Sequence, residues 1–189
     1  AAGNLTTKTV SFTIDTTAPV VEITGVQDKE SYNTTVTPVV TISDATSQTI
    51  TLNGATFVSG TDVTEEGTYT LVVTAEDAAG NLTTKTVSFT IDLTAPVIDI
   101  TGVTDGGNYK TAVTPVIDIQ GATGQPVVTL NGETYAPGTP ITADGEYTLL
   151  VTATDEAGNT TTTTITFVID TTAPVIDITG VTDGGNYKV

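Results

Sequence analysis

The 189-residue chain has no cysteine, histidine, methionine, tryptophan or arginine. Without cysteine there is no disulfide, thiolate metal site or thiol nucleophile. Without histidine, cysteine and arginine the commonest acid–base and nucleophilic partners are missing, although a carboxylate pair could still carry glycosidase chemistry. Basic residues are scarce as well: five lysines face 22 acids, a net charge of −17. Such a polyanion lacks the electrostatic footprint for nucleic acid or anionic lipid, because phosphate is neutralised by basic groups. No apolar run approaches the length needed to cross a bilayer, so direct membrane insertion is not expected. Disorder would suit the charge, but a hydrophobic fraction of 38% opposes it.

What the chain does have is internal repetition. "DTTAP" stands at residues 15–19 and again at 170–174, and "DLTAP" stands at 92–96. Asp15, Asp92 and Asp170 are therefore spaced by 77 and 78 residues. "AAGNLTTKTVSFTID" ends at Asp15 and recurs word for word ending at Asp92, while "TAPVIDITGVTDGGNYK" occurs at 94–110 and 172–188. The expected organisation is the last strand of a preceding repeat at 1–14, full repeats at 15–91 and 92–169, and the start of a further repeat at 170–189. The chain is expected to be a window on a longer periodic protein. Its acids recur at equivalent positions of the repeat, which suits structure better than catalysis, so no enzymatic role is expected.

Within a repeat the pattern is that of strands. In "YTLVVTAED" Tyr69, Leu71, Val73 and Ala75 point one way, and Thr70, Val72, Thr74 and Glu76 the other. "TVSFTID" places Val87, Phe89 and Ile91 inward. Asn53-Gly54 and Asn131-Gly132 supply the positive φ angles of two-residue hairpin turns. Strands are expected at 20–25, 36–43, 48–53, 55–58, 61–64, 68–76 and 83–91. No stretch keeps a helical period. Seven short strands in a repeat of this length predict a two-sheet sandwich.

"DTTAP" at the boundary, "GTYTLVVTAEDAAGN" at 67–81 and "GEYTLLVTATDEAGN" at 145–159 resemble the bacterial immunoglobulin-like repeats of large surface adhesins and cell-wall proteins. The resemblance covers the whole chain. It implies an all-β fold of tandem seven-stranded immunoglobulin-like β-sandwiches joined end to end, on a bacterial cell surface or cell wall. Tyr69 and Tyr147 then occupy the tyrosine corner, with Leu71 and Leu149 where antibody domains place a cysteine. They are expected to be largely buried, with each phenol bonded to backbone. The implied role is an extracellular stalk or fibre whose partners are neighbouring repeats of the same chain, with self-association into fibres as a further possibility. Two other readings stay open. One is a carbohydrate- or receptor-binding module using Tyr109 and Tyr187, the other a filament subunit that exchanges strands.

Related surface domains carry Lys–Asn cross-links, but Lys85 has Thr163 as its counterpart in the next repeat, so such a bond is not the common staple. "NLT" and "NTT" at Asn4, Asn33, Asn81 and Asn159 match the N-glycosylation sequon, although Gly-Asn is also turn chemistry. Glu22, Asp99 and Asp118 alternate with inward isoleucines and read as solvent-facing.

The linker acids Asp15, Asp92 and Asp170, with Asp77 and Asp155 before "AGN", are a different set. An odd number of alternating strands brings the chain in at one end of a sandwich and out at the other. The turn before the last strand then lies at the leading end, so Asp15 is expected near Asp77 and Asp92 near Asp155. Asp28 and Glu65 or Glu66 are expected to face Asp92, and Asp105 and Asp144 to face Asp170. Converging carboxylates suit a hard cation, and the resemblance implies Ca2+ at such junctions. Turn-capping by the same aspartates is the equal alternative.

Overall fold

A computed structural model describes residues 2–188, and among them it contains fourteen strands and no helix. The chain divides into two compact units, Ala1–Thr94 with Glu156–Asn159 and Ala95–Asp155 with Thr160–Val189. The first contains β1 (Val20–Thr24), β2 (Glu30–Tyr32), β3 (Val39–Ser43), β4 (Ser47–Leu52), β5 (Ala55–Thr56), β6 (Gly67–Glu76) and β7 (Leu82–Ile91). The second contains β8 (Val97–Thr101), β9 (Gly107–Tyr109), β10 (Val116–Gln120), β11 (Val127–Leu130), β12 (Glu133–Thr134), β13 (Gly145–Thr154) and β14 (Thr160–Ile169). In each unit a two-stranded sheet, β1-β3 or β8-β10, covers a five-stranded one, ordered β2-β7-β6-β4-β5 or β9-β14-β13-β11-β12. The all-β, immunoglobulin-like expectation is borne out.

Alternation builds the core. β6 and β7 pair antiparallel over ten residues, and their inward side chains Leu71, Val73, Ala75, Val87, Phe89 and Ile91 are all buried. Val21 and Ile23 of β1, with Val40 and Ile42 of β3, close over them from the small sheet. Each such side chain taken fully out of water contributes roughly 1.5–3 kcal/mol. The few aromatic residues are concentrated here. Phe89 packs edge-on to Tyr32 at 6.3 Å and stacks on Tyr69 at 5.3 Å, and Phe167 repeats this with Tyr109 and Tyr147.

The tyrosine corners are present: Tyr69 Oη donates to the Glu65 carbonyl and Tyr147 Oη to that of Ala143, both at 2.8 Å. The two rings are half-buried rather than buried, because each lies at the end of its sheet with its hydroxyl toward the corner. The Asn-Gly hairpins also form. Asn53 and Asn131 have φ of 50° and 51°, and their side-chain amides bond the neighbouring β6 or β13 backbone, extending the ladder past the turn.

Two expectations on strands need correction. No strand forms at 61–64, where only the single bridge Val36↔Val63 pairs. A short strand the alternation does not reveal, Glu30–Tyr32, instead lies parallel to β7. The second difference comes from the first strand of the sandwich changing sheets part-way, from β1 in the small sheet to β2 in the large one. The change occurs at Gly25, and at Gly102 in the second unit, with φ of 84° and 85°. A Cβ on Gly102 would lie 2.4 Å from the Thr114 carbonyl oxygen.

That contact separates two kinds of glycine. Gly102→Ala combines a left-handed backbone with a backbone clash and should cost roughly 2–4 kcal/mol. Gly132→Ala, with open space around it, should cost only the conformational part, about 1–2 kcal/mol. Denaturant melts of the two variants measure the difference, and equal losses would contradict a sheet-switch role for Gly102.

Candidate junction site

The linker aspartates begin as turn caps. Asp15 Oδ1 accepts from Thr17 N–H, Asp92 Oδ1 from Thr94 N–H and Asp170 Oδ1 from Thr172 N–H, each at 3.0 Å. An aspartate bonding the backbone two residues on is a stable local turn, and the proline that follows fixes φ in the next step. Together they direct the chain into β1 or β8.

The turn between β6 and β7 then holds this stretch. Asp77 is buried, 6% exposed, at the end of the inward row of β6. Its Oδ1 accepts from the N–H groups of Ala79 and Asn81, and its Oδ2 from Asn81 Nδ2, all at 2.8 Å. The Asn81 side-chain bond is the largest cause holding the Asp77 carboxyl below its ordinary value, with burial opposing it. The same Asn81 amide donates to the Asp15 carbonyl at 3.1 Å and the Thr17 carbonyl at 3.4 Å. Two residues on, Thr83 Oγ1 donates to the Pro19 carbonyl at 2.6 Å. The arrangement recurs: Asn159 Nδ2 donates to the Asp92 carbonyl at 2.8 Å and Thr161 Oγ1 to the Pro96 carbonyl at 2.5 Å. Asp155, the counterpart of Asp77, is likewise buried.

Asn-x-Thr is thus a clasp. Its asparagine and threonine, on the same side of the chain two residues apart, take the carbonyls of the aspartate and proline of "DTTAP" or "DLTAP". Sequence reasoning took Asn81 and Asn159 for turn residues or sequons and missed Thr83 and Thr161. The signal was there, in an N-x-T found after "AG" in both repeats, 66 and 67 residues after the linker aspartate.

The remaining predicted residues are also held by protein donors. Asp28 Oδ1 accepts from Ser88 N–H at 2.9 Å. Asp105 Oδ1 accepts from Thr166 N–H at 2.8 Å and Thr166 Oγ1 at 2.9 Å, which lowers its pKa. Asp144 takes Thr171 Oγ1 and N–H on Oδ1 and Thr172 Oγ1 on Oδ2, lowering its pKa and placing it beside the Asp170 turn. Glu66 accepts from Thr94 Oγ1 at 3.0–3.1 Å, next to Asp92, whereas Glu65 takes part through its carbonyl. Asp15 and Asp77 do come to a common point, the Asn81 amide. Among the described residues, however, no three acidic side chains gather as a metal shell would require. As placed, these carboxylates are bound by backbone, amide and hydroxyl donors.

Lys85 is exposed and its Nζ lies 3.4 Å from the Val21 carbonyl, an ordinary backbone contact. Tyr109 is half-buried against Phe167 and accepts from Thr104 N–H, so it packs its own loop; Tyr187 is the exposed one. No helix among the described residues is long and apolar enough to cross a membrane.

Residues 94–171 match the family described as bacterial Ig-like domain. This segment is similar to that family. The first unit has the same strand order, the same clasp and long identical stretches of sequence, so one topology is written twice in the chain. Domains of this kind are typically structural or binding modules. No curated protein matches the chain. Similar solved structures include the fibronectin(III)-like modules of Clostridium thermocellum CbhA, at 13% identity, 79% of this chain, 94% of that one and a TM-score of 0.44. A Ca2+-stabilized adhesin that helps an Antarctic bacterium bind ice is 26% identical over 82% of this chain and 50% of that one, with a TM-score of 0.34. The Bacteroides ovatus glucan-locus protein SGBP-B is 16% identical over 82% and 48%, with a TM-score of 0.32. The chain spans about half the length of these last two.

Removing the clasp gives a test of the bacterial Ig-like junction. In Asn81→Ala the neutral bonds to the two linker carbonyls, worth about 0.5–1.5 kcal/mol each, are lost. Hydrogen exchange at Thr17 and Ala18 should accelerate. Because the folded-state pKa of Asp77 is lowered, its contribution is complete above the unfolded value of about 3.9 and fades as pH falls through the lower folded value. Asn81→Ala should shrink that acid-side loss. An unchanged pH profile and unchanged exchange would contradict the clasp.

Proposed function

We propose that the chain is a segment of an extracellular stalk or fibre on a bacterial surface protein, built from tandem seven-stranded Ig-like sandwiches joined end to end. The observation that carries this is the clasp. A linker whose carbonyls are bound by the following module is stiffer than a solvated tether, and stiffness is what a projecting stalk needs. In this reading the partners are neighbouring repeats. Residues 1–14, identical to the stretch that forms β7, belong with a repeat before, and residues 170–189 with a repeat after.

The role is mechanical and geometric. Strands of about ten residues at roughly 3.3 Å rise, with their loops, give each module a length of about 30–40 Å. Calcium stiffening at Asp15, Asp77, Asp92, Asp155 and Asp170 is a separate reading, favoured by the meeting of Asp15 and Asp77 at one amide. It requires their carboxylates to leave the turn donors they now hold.

Small-angle scattering on two, four and six concatenated repeats of residues 15–169 tests both readings. The maximum dimension should rise nearly linearly with repeat number, whereas square-root growth would defeat the stalk. If calcium stiffens the joints, chelator should shorten the six-repeat molecule and lower its melting temperature; identical profiles leave the aspartates as turn caps alone.

A further inference from the structure

The two modules differ at one sheet edge. In the first, the outward backbone groups are bound from Val36 to Val40, while those of Ile42 are open. Val36 exchanges two bonds with Val63, and the Pro38 carbonyl accepts from Gly60 N–H. Ser59 Oγ accepts from Val40 N–H at 2.7 Å and donates to the Val40 carbonyl at 3.2 Å. In the second, Val113 pairs with Ile141 and the Pro115 carbonyl accepts from Gly138 N–H in the same way. Pro137 stands where Ser59 would be, and it has neither hydroxyl nor N–H to offer. The outward N–H and C=O groups of Ile117 thereby lose the partner that Val40 has, and among the described residues those of Ile119, like those of Ile42, have none, so two successive outward residues are open. β10 is an open edge, a ready template for another strand.

The same strand carries an anomaly. Asp118 lies directly opposite Asp99 of β8, both exposed, an arrangement of like charges that destabilises a sheet. In the first module, where Ser59 caps Val40 and only Ile42 is open, Thr41 stands at that position, opposite Glu22. The carboxylate pair occurs where the edge is open.

Geometry connects the two. If β10 of two copies aligned antiparallel about Asp118, Ile117 of each would face Ile119 of the other. All four open backbone groups on each strand would then be used. That register also sets Asp118 against Asp118 of the second copy as a non-hydrogen-bonded pair, the position of closest side-chain approach, about 4.5 Å between Cα atoms. Asp99 of each copy extends this into a row of four carboxylates. Shifting the register to avoid it leaves half of the bonds unmade, since Pro115 has no N–H and its carbonyl is taken. We propose that Asp99 and Asp118 guard the β10 edge, and that the partner they hold off is β10 of a second copy of this chain.

Sedimentation equilibrium on the full chain, with hydrogen exchange on the same samples, tests this. The Asp99→Asn/Asp118→Asn variant keeps the shape of both side chains and removes the repulsion. It should associate more tightly than the parent by on the order of tenfold or more, and the Ile117 and Ile119 amides should become protected in the dimer. A variant as monomeric as the parent would overturn the proposal. So would a dimer that leaves these amides unprotected. Protection accompanied by slowed exchange at Val10–Thr13 would mean that the N-terminal segment, not β10, fills the edge, and would overturn the choice of partner.

Discussion

The arrangement rests on the satisfaction of a few carbonyl groups. Where the chain enters a module it has not yet joined a sheet, and its backbone lies against the module with no strand to bond. The carbonyls of the buried prolines and the half-buried Asp92 in that position need donors, and the exposed Asp15 takes one as well. Asn81 and Thr83 supply them to Asp15 and Pro19, and Asn159 and Thr161 to Asp92 and Pro96. The clasp depends in turn on Asp77, whose buried carboxylate fixes the Asn81 amide, and on the long β6–β7 ladder that fixes Asp77. Sheet, turn and linker form one chain of dependence.

This changes the meaning of the acids. A net charge of −17 and regularly spaced aspartates suggest cation chemistry, and the strand count correctly places Asp15 near the turn that follows β6. What the sequence does not reveal is which atoms meet. The linker aspartate presents its carbonyl to the Asn81 amide and spends a carboxylate oxygen on its own turn, so Asp15 and Asp77 meet through an amide rather than carboxylate to carboxylate. Asp144 behaves alike, its two oxygens taken by Thr171 and Thr172. In a chain so rich in threonine, hydroxyl donors are close to every acid.

Features encoded locally were legible: the alternation of β6 and β7, the Asn-Gly hairpins, the Gly-x-Tyr corners. Features that depend on distant partners were not. The sheet switch at Gly25 and Gly102 is required by the approach of the 37–38 and 114–115 backbone, which no local pattern announces. Residues 2–14 show the limit most directly. Phe12 is 81% exposed outside any strand, while Phe89, in an identical stretch, is 1% exposed in the core of a sheet. Strand formation there is decided by β2 and β6, not by the residues themselves. The open β10 edge likewise turns on one loop substitution, proline for serine, with no visible periodic signature.

If the clasp makes each linker part of the module that follows it, the linker backbone must be as ordered as the strands. Backbone 15N relaxation at Thr16, Thr17, Leu93 and Thr94 measures this directly. The account predicts order parameters near those of β6 and β7, about 0.85. Values below about 0.6 would mean a flexible tether and would contradict it.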